Sequence, residues 1–132
     1  EATFLNPYST TSGPWDYGFL FRHEGANQQY RLIVSSTGDW ELYNNTGDPD
    51  GTLVDSGKVT NLDTSEFGSN TIQVVAYDNY GELTVNNEFV SDLDLSGRIV
   101  EGDVFVATGM YTGDLIAGYY TEYWDFFVYN IP

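Results

Sequence analysis

At 132 residues the chain can bury one hydrophobic core but not two, and 41% hydrophobic with 17% aromatic residues excludes disorder. Its 20 acidic residues against 4 basic ones give a net charge of -16, which repels phosphate backbones and anionic lipid surfaces; nucleic acid is therefore a poor partner. With no cysteine, disulfides and thiolate-held metals are excluded, and no apolar stretch reaches the roughly 20 residues of a membrane-spanning helix.

The chain opens at Glu1-Ala2-Thr3-Phe4 without the basic and then apolar pattern of a leader. An extracellular or cell-surface location is inferred instead from a composition rich in Thr, Asn, Gly and Tyr and poor in Lys. From there almost every segment alternates with a period of two. Tyr17, Phe19 and Phe21 share one face of the run 17–22, and Tyr30, Leu32 and Val34 share one face of 30–35. The runs 40–43, 71–77, 82–85, 103–107 and 123–129 follow, rich in β-branched and aromatic residues. Between them stand turn sequences: Ser36-Thr37-Gly38-Asp39, Asp48-Pro49-Asp50-Gly51, Asp78-Asn79-Tyr80-Gly81 and Val85-Asn86-Asn87-Glu88. At most one helical turn fits, from Asp63 to Phe67. The spacing predicts an all-β, two-sheet antiparallel sandwich of the jelly-roll type, with residues 1–132 as a single domain.

The order of motifs carries a resemblance. Tyr17-Gly18-Phe19-Leu20-Phe21-Arg22, then Tyr30 to Trp40, Asn70 to Ala76, the hairpin Leu83 to Val90, and Trp124-Asp125-Phe126-Phe127-Val128 occur in sequence. Together they resemble the bacterial laminin-G-like domains of the concanavalin A-like jelly roll, with Asn87 where glycine is usual. The resemblance implies two packed antiparallel sheets in a domain appended to secreted or surface proteins. Some such domains bind glycans, and a related group hydrolyses modified disaccharides. Family domains usually begin with a further segment ahead of Tyr17. The resemblance therefore implies missing first strands and an open sheet edge, to be covered by a partner strand from the same protein or a neighbouring copy.

Candidate sites divide by chemistry. A pyranose stacks on exposed rings, and Trp15, Tyr43, Tyr80 and Tyr111 are placed in or beside turns, with Trp40 and Trp124 open to either burial or exposure. Tyr119 and Tyr120 are also placed beside turns, whereas Phe19, Phe21, Tyr30 and Phe127 fit core positions. The loop Asn44 to Gly51 offers Asp48 and Asp50 as oxygen ligands, so calcium is the one cofactor suggested; an ordinary Asp/Gly/Pro turn explains the same residues. Asn44-Asn45-Thr46 matches the N-glycosylation acceptor pattern. Catalysis is disfavoured. His23, the only histidine, has no accompanying nucleophile motif, and Glu122 and Asp125 are spaced for opposite faces of a strand.

The expected function is a non-catalytic extracellular recognition module, for glycan and with calcium as a candidate helper. The alternative is a structural subunit of a surface layer or filament, assembling with neighbouring copies through an open sheet edge and tyrosine-rich faces. A glycoside-active enzyme ranks last.

Overall fold

A computed structural model describes residues 1–110 and 116–129 of the chain. Among the described residues there is no helix, and the strands are β1 (Ala2–Leu5), β2 (Asp16–Gly25), β3 (Gln28–Ser35), β4 (Asp39–Thr46), β5 (Thr52–Lys58), β6 (Ser69–Tyr77), β7 (Tyr80–Val85), β8 (Glu88–Asp94), β9 (Asp103–Thr108) and β10 (Tyr123–Trp124). They form two antiparallel five-stranded sheets, ordered β10-β1-β6-β7-β8 and β5-β4-β3-β2-β9. The all-β sandwich expected from the period-two pattern is the observed architecture.

Turn chemistry explains the hairpins. Asn86 and Asn87 both take positive φ, 51° and 65°, as a two-residue turn matched to strand twist requires. Asparagine tolerates that region, so Asn87 serves where the resembled family has glycine. Asp78 at φ 47° and Gly38 at φ 84° turn the chain between β6 and β7 and between β3 and β4. The segment 63–67 makes turns and no helix.

The core fills from alternate residues of both sheets. Tyr17, Phe19, Phe21, Tyr30, Leu32, Val34, Trp40 and Leu42 point in from one sheet, and Phe4, Ile72, Leu83 and Val85 from the other. Each such side chain contributes about 1.5–3 kcal/mol on burial. Aromatic stacking binds the centre: Tyr17 lies between Phe4, at 4.6 Å, and Trp15, at 4.9 Å, with nearly parallel rings. Beside this stack Gly18 is indispensable, because a Cβ there would sit 2.0 Å from the Leu32 carbonyl oxygen across the ladder.

Two sequence expectations change. The run 123–129 pairs as a strand only at Tyr123 and Trp124, because Asp125 turns to φ 53°. Phe127, expected in the core, is consequently 46% exposed. The opening residues, expected to leave the first strands missing, instead supply β1, which lies inside its sheet between β6 and β10.

That strand is short. Ala2 pairs with Ile72, Thr3 with Thr71 and Phe4 with Asn70, but β6 runs on to Tyr77. The Thr71 carbonyl accepts from Asn86 N, toward the β7 side, so alternation turns the backbone of Ile72, Val74 and Ala76 toward the β1 side. No described strand pairs with Val74 or Ala76 there.

Candidate functional site

Beside the stretch of β6 from Gln73 to Tyr77, a groove of about 880 Å³ opens between the sheets. Phe19 and Phe21 line it from β2, and Val104 from β9. Val74 and Ala76 line it from β6, half-buried against the same core. Residues 99–102 and 127–129 complete its lining. The Phe127 amide donates to the Glu1 carbonyl at 2.9 Å, and the Glu1 ammonium donates to the Phe127 carbonyl at 3.0 Å. Residues 128 and 129 therefore continue past the last pairing that β1 offers. Charge at the groove comes from the carboxylates of Glu1, Asp78 and Glu101 against the Glu1 ammonium and Arg22, whose guanidinium donates to the Arg98 carbonyl at 2.7 Å. Sequence reasoning expected an open edge but located neither the groove nor Val74 and Ala76 on it. The available signal was the apolar alternation of Ile72, Val74 and Ala76 along β6.

The residues proposed for sugar stacking do not gather. Trp15 and Trp40 are buried, a correction to their expected availability. Trp15 is drawn in by its stack on Tyr17 and by the bond from its amide to Ser36 Oγ at 3.1 Å. Trp40 projects into the core from β4, and its indole packs where Gly57 has no side chain. Tyr43 is half-buried; the Arg31 guanidinium covers its ring at 4.7 Å and its hydroxyl bonds to Glu41. Tyr80 is exposed, yet its hydroxyl lies 2.6 Å from Glu82 and 2.8 Å from Asp92, which raise its pKa by hydrogen bonding and repulsion. Trp124 stays exposed on the edge strand, as do Tyr119 and Tyr120 beyond it. Tyr111 lies outside the described residues.

The loop proposed for calcium is organised by arginines. Arg31 donates to Asn45 Oδ1 at 2.8 Å and to the Asp50 carbonyl at 2.7 Å, while Asn45 Nδ2 donates to the carbonyls of Asp48 and Pro49. Asp48 Oδ1 accepts from the Asp50 amide at 3.0 Å, closing an Asx turn. These oxygens answer guanidinium and amide donors, and among the described residues no three acidic or histidine side chains gather to hold a metal ion. Arg98 adds a bond to the Asn45 carbonyl at 2.7 Å and an ion pair with Glu24.

Asn44, matched by the glycosylation pattern, sits within β4 rather than in a loop. Its side chain accepts from Arg98 at 3.3 Å and donates to the Gly97 carbonyl at 3.4 Å, so the acceptor amide is committed. His23 packs edge-on against Phe105 at 4.9 Å, with no nucleophile among the described residues bonded to it. Glu122 and Asp125 are both exposed.

Comparison of the chain with protein-family models, curated proteins and solved structures finds no match, so the groove stands on its geometry alone.

Proposed function

We propose that the chain is a non-catalytic recognition module, working at the cell surface or outside the cell, that takes an extended polypeptide segment into the groove between its sheets. The observation carrying this reading is the edge of β6 at Val74 and Ala76, unpaired among the described residues and placed over a groove walled by Phe19, Phe21 and Val104. An unpaired strand edge is a template for another chain, and its side-chain pockets supply specificity. The motif resemblance to laminin-G-like domains favours a binding role over a catalytic one. The same groove serves a surface-layer subunit, where the incoming segment belongs to a neighbouring protein.

Titration with a panel of synthetic peptides that alternate valine with polar residues tests the reading. Saturable binding is expected, weakened by Val74→Lys with the thermal midpoint retained. Absence of binding by every peptide in the panel would overturn it. A second reading, glycan binding, rests on the exposed rings of Tyr120 and Trp124. Oligosaccharide binding lost in Trp124→Ala would favour it.

A further inference from the structure

We infer that the Asp48–Pro49 peptide bond is a self-cleavage site in mild acid, assembled by the β4–β5 loop around the buried amide of Asn45. The inference stands apart from the groove and its occupant. Asn45 is wholly buried on β4. Arg31 Nε donates to its Oδ1 at 2.8 Å, and because a guanidinium carries donors only, the amide nitrogen must face the loop. From there Nδ2 donates to the Asp48 carbonyl at 2.8 Å and to the Pro49 carbonyl at 3.2 Å. Gly51, at φ 71°, lets the loop close over this amide, since a Cβ there would lie 2.8 Å from Asn45 Nδ2. Arg31 also donates to the Asp50 carbonyl at 2.7 Å, so the same guanidinium fixes the far side of the loop.

Three features converge on this one bond. The Asp48 carboxylate accepts from the Asp50 amide at 3.0 Å, and the ring closed by that hydrogen bond contains the Asp48–Pro49 bond, which curls the carboxylate back over it. The Asn45 amide polarises the Asp48 carbonyl and is in place to hold the negative charge that develops on its oxygen. Proline supplies a nitrogen without N–H, so that nitrogen cannot attack the side chain to close an imide. No other aspartate in the chain precedes proline. The reaction balances with water as its co-reactant. A carboxyl oxygen of Asp48 adds to its own carbonyl carbon, the proton passes to the Pro49 nitrogen, and the C–N bond breaks with its electron pair on nitrogen. Asp48 is left as a five-membered cyclic anhydride, which water opens to two carboxyls. Acid protonates the leaving nitrogen, and residues 48–50 are exposed to it. The charged groups packed around the loop are Asp50 within it, Arg31 from β3, and Arg98, which donates to the Asn45 carbonyl at 2.7 Å. Because β4 stays paired with β3 and β5 on either side of the break, the two pieces remain together in the fold, and the break is read on denatured protein.

Mass spectrometry of the denatured protein, sampled during incubation at about pH 3, where carboxyls exchange their proton, tests the inference. Masses matching a break between residues 48 and 49 are expected. The folded chain should be cut at least about tenfold faster than a synthetic peptide of residues 44–51, and than the same chain in urea, because neither holds Asn45 against the Asp48 carbonyl. Circular dichroism follows the fold throughout, and if it melts at that pH the comparison is run at the lowest pH that keeps it. Asp48→Asn removes the attacking carboxyl and should abolish the break while leaving the loop its Asx turn. Asn45→Ala should slow cleavage of the folded chain to the rate of the peptide. If that variant does not fold, the urea and peptide comparisons decide. Absence of any break at this bond, a break that persists in Asp48→Asn, or cleavage as fast in the peptide or in urea as in the fold would overturn the inference.

Discussion

The hydroxyl of Tyr17 accepts a hydrogen bond from Asn70 Nδ2 at 2.7 Å, joining β2 to β6 across the middle of the sandwich. The same hydroxyl donates to Asn6 Oδ1 at 2.7 Å, and Asn70 also donates to the Asp63 carbonyl at 2.8 Å. Every member of the chain depends on the next, in surroundings where an orphaned polar group costs free energy. Tyr17→Phe keeps the ring stack but leaves Asn6 Oδ1 with only the longer 3.4 Å bond from Asn70 and takes the shortest acceptor from Asn70 Nδ2, and is expected to cost about 1–3 kcal/mol in denaturant unfolding.

Burial, the largest influence, raises the Tyr17 pKa above its ordinary 10.0. The folded state therefore holds a proton that the unfolded chain releases. The stability this supplies is fully present below pH 10.0 and is lost as pH rises from there toward the folded value. A thermal midpoint that falls above that pH in the wild type should fall less steeply in Tyr17→Phe.

At the acid end three carboxyls act together. Lys58 and Thr37 hold Asp39 below its ordinary 3.8, while Ser65 does so for Asp63 and Ser96 for Asp94. Depressed folded values mean stability that is present above pH 3.8 and lost as pH falls through them. Ser65→Ala removes a 2.6 Å hydroxyl bond to Asp63, so that carboxyl should titrate at higher pH in an NMR titration.

Gly18→Ala tests the tightest backbone approach in the core. The obstructing atom is the Leu32 carbonyl oxygen, which cannot move without parting β2 from β3. The expected loss exceeds the usual overpacking cost of about 1–3 kcal/mol, measured by denaturant unfolding. Gly25→Ala, where the added methyl meets nothing within 4 Å, should stay within about 0.5 kcal/mol of wild type.

Arg98→Ala withdraws donors from the Asn45 carbonyl, Asn44 Oδ1 and Glu24 at once. Glu24, 41% exposed, is resolvated, but the part-buried Asn45 carbonyl and Asn44 Oδ1 lose a donor whose side chain is only 8% exposed, and a loss of about 1–3 kcal/mol is expected in thermal or denaturant unfolding.

Period two was readable wherever one face of a strand is buried, as in β2 and β3, because burial writes alternation into the residue types. It was unreadable in β5, whose residues 52–56 are all exposed and so carry no such constraint. The aromatic residues misled for a related reason. Trp15 stands beside proline and glycine, which mark a turn, yet the ring is held by Tyr17 two residues later rather than by anything in the turn. The apolar runs along β2 and β6 were legible, but the groove between them depends on how the two sheets face one another, which composition does not record.

The position of β1 also orders the assembly of the protein. It is the earliest strand along the described chain, yet its neighbours are residues 69–72 and, far downstream, Tyr123 and Trp124. During synthesis the second sheet can form completely from residues up to Thr108 while β1 still lacks its outer neighbour. Phe4 can stack on Tyr17 once β2 is formed, but its contact with Tyr123 comes last. Such distant pairing slows folding and prolongs exposure of sticky intermediates. A nascent chain stalled short of Tyr123 would already have every strand but the one that flanks β1 on its outer side.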